Sequence, residues 1–310
     1  MKLKVVGVLA YDSIVSEFGK RENLFGGSAT HFAISASYLN KDVHITGAIG
    51  NDFDLRDLNT LSSTGINTDG IKKLDEKTFR WEGKYEYDSP NDAITISNSI
   101  IKGEDNVLNT YKPQLFSDTE NQDDNYFLFL ANGDPEHQYS LINQTKNKSK
   151  FIGLDTMDFW INNKLDEVMK LLPLIDILII NENEAKLICQ NNNLKKCITK
   201  LNSFGVKRMI IKLGNYGMIY SQNNETFFLP ALLLDKVVDP TGAGDSFAGG
   251  FMGYLSTVQS HNEIEFKNAC VYGTVMASLC VEDFGANNTL KLTIEKINKR
   301  KNLLLNQIKI

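Results

Sequence analysis

The chain has little of what metal, redox and membrane chemistry requires. Its four cysteines (Cys189, Cys197, Cys270, Cys280) form no CxxC pair, so neither a zinc ribbon nor a disulfide framework is indicated. They read as free thiols of a reducing cytosol. The histidines His31, His44, His137 and His261 show no HxH or HxxxH spacing, which speaks against a zinc site. No apolar run reaches membrane-spanning length. Met1-Lys2-Leu3-Lys4 leads straight into an apparent strand without a cleavage site, so a cytoplasmic protein without a membrane partner is expected. There is no basic excess: the formal charge of −5 argues against nucleic acid and leaves room for a nucleotide. The GxxxxGK[ST] loop and the GxSxG elbow are both missing, which excludes a Walker-type kinase and a hydrolase of the nucleophile-elbow type. Repeats and low-complexity tracts are absent.

What is present is an ordinary soluble composition, 42% hydrophobic and 23% charged over 310 residues. That is enough chain for one large α/β domain, alone or with a small appendage. Short β-branched runs alternate with helical patterns. Strands are predicted over 4–10, 43–48, 126–131, 151–155, 175–181 and 208–212. Helices are predicted over 29–39, 158–172, 184–190, 194–204, 244–256, 263–281 and 291–305. Such alternation indicates a largely parallel sheet covered on both faces. Ligands then gather at the carboxyl ends of the strands, so the loops after Ala10, Asn181, Leu213 and Asp239 are where chemistry is sought. The rhythm breaks at Thr78–Asp88 and again at Ala93–Ile100, which alternate like antiparallel strands with one wet face.

The most informative stretch is Asp239-Pro240-Thr241-Gly242-Ala243-Gly244-Asp245-Ser246-Phe247. A helix beginning near Gly244 would bury Phe247, Phe251, Tyr254 and Leu255, which recur at spacings of three and four. Gly242 and Gly244 let backbone amides approach an anion, and a helix N-terminus adds partial positive charge there. Asp245 sets a carboxylate inside that cradle, where it repels a phosphate unless it takes a proton from the attacking nucleophile. This reads as phosphoryl transfer. Two alternatives stay open on the residues alone: glycines serving only the turn or the packing, and a dinucleotide-binding turn with Glu263 or Glu265 on a ribose.

Over about a dozen positions this stretch closely resembles the C-terminal signature of the ribokinase-like (PfkB) carbohydrate kinases. The resemblance extends in order through Asp12, Gly26-Gly27, the alternating region, Asn181/Glu184 and Gly214/Gly217. It implies a three-layer sandwich with a mostly parallel central sheet in a single domain spanning 1–310, with a β-lid built mainly from about 72–112. It also implies Asp245 as catalytic base, with the Gly242, Ala243 and Gly244 backbone as anion hole. Asp12 would bind sugar hydroxyls from the loop after the first strand, with Gly26, Gly27 and His31, where asparagine is usual. Asn181 and Glu184 match the family's N-x-x-E motif near the phosphates and Mg²⁺, although Asn183 as a helix N-cap reads equally well from sequence. Gly214, Gly217, Thr241, Thr274 and Ala277 would line the nucleotide, and Lys212, where threonine is more usual, could pair with the ATP phosphates. Asp239 would neighbour a monovalent cation such as K⁺, and the lid would supply a homodimer contact. The implied partners are ATP and a small sugar. A nucleoside, on which Phe25, Phe79 or Trp81 could stack, is the alternative, and a non-catalytic sensor of the same fold is a third reading.

Overall fold

The computed structural model describes residues 1–86, 89–115, 125–145, 148–223 and 225–309. Seven strands form the parallel part of a nine-stranded sheet: β1 (Lys2–Val6), β4 (Val43–Ile49), β5 (Asn67–Lys73), β8 (Tyr126–Leu130), β9 (Ser149–Leu154), β10 (Ile177–Asn181) and β11 (Arg208–Lys212). An antiparallel hairpin, β12 (Met218–Gln222) and β13 (Glu225–Leu229), extends one edge. The spatial order is β13-β12-β11-β10-β9-β8-β1-β4-β5.

The central strands are apolar on both faces because both are covered. Phe127 and Phe129 of β8 and Ile177 and Ile179 of β10 join one core, while Leu128, Leu130, Leu178 and Ile180 join the other. The first core is closed by α1 (Ser28–Ser37), α8 (Ala243–Leu255), α9 (Glu263–Cys280) and α10 (Ile294–Gln307). The second is closed by α3 (Pro135–Gln144), α5 (Leu165–Leu171), α6 (Glu182–Cys189) and α7 (Leu194–Ser203). Two further helices are α2 (Leu55–Ser63) and α4 (Asp158–Asn163). The helix expected over 158–172 is thus two helices that meet at Lys164, whose backbone leaves the helical region at φ −140°.

Helix α8 lies in the first core. Of the residues expected to bury, Phe247, Phe251 and Leu255 do, whereas Tyr254 is half-buried with its ring stacked on Tyr272. A Cβ on Gly249 would overlap the Phe32 carbonyl of α1, and one on Gly253 would lie 3.0 Å from Ala36 Cα. These glycines cost about 1 kcal/mol each in helix propensity and let α1 and α8 approach backbone to backbone. The start of α8 is thereby seated firmly at the carboxyl edge of the sheet.

A separate four-stranded sheet, in the order β3-β2-β6-β7, is the one expected as the lid. It consists of β2 (Ala10–Ser16), β3 (Gly19–Gly26), β6 (Phe79–Glu86) and β7 (Ser89–Asn98). The segment expected to build it, about 72–112, supplies only two strands, and Tyr87 and Asp88 of the alternating run lie outside the described residues. The other two strands come from a stretch read as loop. The strand expected over 4–10 stops at Val6, and Ala10 already belongs to the lid. Gly7 is why: a Cβ there would lie 2.8 Å from Ala131 Cβ and 2.9 Å from Ser28 Oγ, so the chain leaves the sheet at a crowded crossing.

Candidate active site

Asp12 sits on lid strand β2 rather than in a loop, in register with Leu24 of β3 and Trp81 of β6. It is buried and accepts the Gly27 N–H at Oδ2 (3.3 Å). Burial pushes its carboxyl up to about 7, against the pull of that amide. A Cβ on Gly26 would overlap Asp12 Oδ2 and lie 3.4 Å from His31 Nε2. The paired glycine therefore makes room for two polar side chains. Gly27 adopts φ +93° as the N-cap of α1.

His31 lies on α1 and is 1% exposed. Its Nε2 has no hydrogen-bond partner among the described residues, and burial drives its pKa down to about 4, so the imidazole is neutral at physiological pH. Its ring packs directly on the cradle, because a Cβ on Gly242 would overlap it. On the far side Cys280 Sγ lies 3.9 Å from Nδ1 and 3.6 Å from the Thr241 carbonyl.

The turn expected to serve as an anion cradle is built on Gly242 at the start of α8. Gly242 takes φ +74° as the N-cap of α8, a conformation open to glycine. Of the three expected anion-hole amides, the Ala243 N–H donates to Pro240 O (3.1 Å) in a turn. The Gly242 and Gly244 N–H groups have no partner among the described residues. Asp239 fixes the loop from behind: its Oδ1 accepts the Thr241 N–H and its Oδ2 the Gly285 N–H, both at 2.8 Å. The Tyr85 hydroxyl, on lid strand β6, meets Thr241 Oγ1 at 3.0 Å and joins lid to cradle.

Asp245 stands in the first turn of α8. Burial first, and the Asp155 charge second, push its carboxyl up to about 8, against the Lys212 ammonium. Lys212, at the end of β11, carries its Nζ 2.8 Å from where a Gly244 Cβ would lie. Burial opposes its charge, yet Asp155, Glu184 and Asp245 together raise its pKa. Asn181 caps α6, not Asn183: the Asn181 N–H donates to Glu184 Oε2 (2.7 Å) and the Glu184 N–H to Asn181 Oδ1 (2.8 Å). This is a reciprocal capping box. Burial, then the Asp155 charge, raises Glu184 to about 8.

The structure thus gathers Asp12, Gly26, Gly27, His31, Thr241, Gly242, Gly244 and Asp245, with Asn181, Glu184 and Lys212 at the adjoining strand ends. Gly214 and Gly217 shape the β11–β12 turn at φ +57° and +106°, and a Cβ on Gly217 would overlap the Leu229 carbonyl. Thr274 is buried on α9, and Ala277 packs on the first core. The sequence reading missed Asp155. It ends a predicted strand, and the rule that singled out Asn181 and Leu213 applies equally to the loop after it. It also missed Tyr85 and Cys280, whose roles depend on the lid position and on a distant helix.

A parallel sheet with an anion cradle at its carboxyl edge and a β-lid above it is the frame of the small-molecule kinases of the ribokinase type. The pattern of the pfkB family carbohydrate kinases matches residues 3–292, and the chain belongs to that family. It is similar to a cytidine kinase of Thermococcus kodakarensis, 28% identical over 256 residues that span 81% of this chain and 87% of the relative. In fold it is similar to a nucleoside kinase of Burkholderia thailandensis bound to inosine (TM-score 0.78, 18% identity, 98% and 99% of the two chains). It is also similar to a fructokinase of Vibrio cholerae holding fructose, ADP and a potassium ion (TM-score 0.77, 18% identity, 96% and 98%). As a member of this family the chain is an ATP-dependent sugar or nucleoside kinase.

Proposed function

We propose that this enzyme phosphorylates a hydroxyl of a small sugar, with Asp245 as general base. The observation that carries this reading is the span of one side chain. His31 touches Gly26 beside Asp12 on one side and Gly242 of the cradle on the other, so hydroxyl binding and phosphoryl binding lie one residue apart. Asp12, with Gly26, Gly27 and His31, holds the acceptor, since a carboxylate accepts two O–H donors. The acceptor hydroxyl gives its proton to Asp245 as its oxygen bonds to the γ-phosphorus, and the bond to the ADP oxygen breaks. The Gly242 and Gly244 amides and the Lys212 ammonium offset charge on the moving group, so positioning and electrostatics supply most of the acceleration. The Gly214–Gly217 turn, Thr241, Thr274 and Ala277 serve the nucleotide, and Tyr85 and the lid exclude water.

Among the described residues no group of three or more His, Cys, Asp or Glu side chains forms a metal cage. Magnesium keeps several waters and needs few protein oxygens. Glu184 with Asn181 therefore suits an ion that arrives on ATP, and the ion would supply charge neutralisation at the phosphates. Asp239 suits a monovalent cation only through lone pairs left over from its two amide bonds. A lid-mediated homodimer is supported by Ile94 and Ile96, 39% and 48% exposed on edge strand β7. A cytoplasmic location is supported by four free, buried cysteines.

The nucleoside reading is favoured by Trp81. Its indole lies over Gly83, where a Cβ would overlap it, and its register with Asp12 puts both on one face of the lid. ADP release with free pentoses and hexoses, compared with adenosine, uridine, inosine and cytidine, tests both. Turnover of free sugars is expected, and activity confined to nucleosides would replace the sugar. Asp245→Asn keeps shape but cannot take the proton, and is expected to lose ~10²–10⁴-fold in kcat while retaining ATP binding. Wild-type turnover in that variant would remove Asp245 from the mechanism.

A further inference from the structure

Asp155 follows β9 and is 5% exposed, and nothing in the family motifs quoted above involves it. Its backbone is pinned on both sides: its N–H donates to Leu130 O (2.9 Å), and its carbonyl accepts Gln138 Nε2 (3.1 Å). Its Oδ1 accepts the Thr156 N–H (2.9 Å), while Oδ2 lies 3.6 Å from Lys212 Nζ. In the order β11-β10-β9 the Lys212 side chain crosses the end of β10 to reach this carboxylate. Its ammonium comes to rest against Gly244.

Three carboxylates, Asp155, Glu184 and Asp245, compete for that single ammonium. Glu184 is tied into the capping box. Asp245 accepts only from its own backbone amide, so its carboxylate is available to capture the lysine. Only Asp155 is both rigidly mounted and within ion-pair distance. We propose that Asp155 is a positioning residue of phosphoryl transfer, which anchors the Lys212 ammonium against Gly244, facing the transferring group, and keeps it off the base Asp245. The inference rests on the reading of Asp245 as base. Without the Asp155 charge, Lys212 pairs with Asp245, so one displacement both lowers the basicity of the base and moves the cation out of the cradle.

The test uses Asp155→Asn, which conserves volume. It is expected to lower kcat by about 10–100-fold with acceptor KM within about threefold. The rise of kcat/KM with pH moves about one unit toward acid, because Lys212 then stabilises ionised Asp245 and the repelling Asp155 charge is gone. The groups acting on Asp245 are Asp155, Lys212 and, from the lid, Asp12, with the neutral Cys280 thiol on α9 and Glu184 acting on Lys212. Asp155→Asn removes the first of these and, through it, moves the second, leaving the others in place. An unmoved pH limb or an unchanged kcat would overturn the proposal.

A second arm is a double-mutant cycle, in which Asp155→Ser replaces Asp155→Asn throughout if the amide folds poorly. Because the hold of Asp155 on the cradle cation runs through Lys212, the double variant Asp155→Asn/Lys212→Met, measured on the alkaline plateau where Asp245 is ionised, should be no slower than Lys212→Met alone. Additive losses would overturn the proposal. Asp245→Asn is measured in the same series. If it is active, the base reading fails by itself. If it is inactive beside a normal Asp155→Asn, only the role of Asp155 fails.

Discussion

Gly242 and Gly244 stand two positions apart at the start of α8, and a methyl group at each meets a different obstacle. At Gly242 the backbone has φ +74° and the neighbour is the fixed, buried His31 ring. Strain of ~1–3 kcal/mol adds to overpacking of ~1–3 kcal/mol, so Gly242→Ala should lower Tm by roughly 5 °C or more. At Gly244 the neighbour is the far end of Lys212, 2.8 Å away, which can swing aside. Gly244→Ala should keep Tm within about 2 °C while kcat falls by about tenfold or more, because the displaced ammonium no longer serves the cradle. Thermal melts and initial rates on both variants check this. Equal Tm losses, or full activity in Gly244→Ala, would show that the cradle is only a turn. The protonation of Asp245 gives a second prediction. A base whose burial and Asp155 neighbour raise it to about 8 is mostly protonated at pH 6. With both substrates well below KM, kcat/KM should therefore climb ~10-fold per pH unit and level off above about 8. A flat profile from pH 6 to 9 would retire Asp245 as the titrating base.

At the scale of elements, strand–helix alternation made the parallel sheet and its covering helices legible, since period-2 and period-3.6 patterns report burial directly. The cradle was equally legible, because glycine spacing and a following carboxylate are local. The lid was only half legible. β6 and β7 alternate visibly, but β2 was read as a loop because its partners, β3 and β6, lie on either side of α1 and β4 in sequence. The Asn181–Glu184 motif was found, yet its mutual capping was not, since sequence does not say which of two asparagines turns the corner. The lid also carries a prediction. Tyr85 is its described hydrogen-bonded link to the cradle, through Thr241. Tyr85→Phe removes a bond worth about 0.5–1.5 kcal/mol, which opens the lid by the same amount. Acceptor KM should rise by roughly 2- to 10-fold. The ratio of acceptor-independent ADP release to total turnover should increase, because a looser lid admits water to the phosphoryl group. If neither quantity moves, the Tyr85–Thr241 contact takes no part in closure.

At the scale of the whole molecule, buried carboxylates crowd the carboxyl edge of the sheet. Asp12 is raised to about 7, and Glu184 and Asp245 to about 8, in each case chiefly by burial. In the unfolded chain the same groups titrate near 4. Between those values the folded state binds the proton and the unfolded state does not, so stability falls as pH rises. The stabilisation these groups give is complete below about pH 4 and lost as pH passes through about 7–8. The ligand-free enzyme should therefore melt at a lower temperature at pH 8.5 than at pH 6. A general slope of this kind could come from many groups, so the sharper measurement is a difference between two proteins. Asp245→Asn removes one ionisable carboxyl and conserves its shape. Its Tm should approach that of the wild type near pH 4, where Asp245 is protonated in the fold and the unfolded carboxyl is only about half ionised. It should exceed the wild type at pH 8.5, where the native carboxylate is forced to ionise in a dry pocket beside Asp155. The variant that loses catalysis would thus gain stability at alkaline pH, a trade expected where a site is built for chemistry. Melts of both proteins at about pH 4, 7 and 8.5 without ligands decide it. A Tm difference that stays constant across that range would mean that Asp245 is not held protonated in the fold.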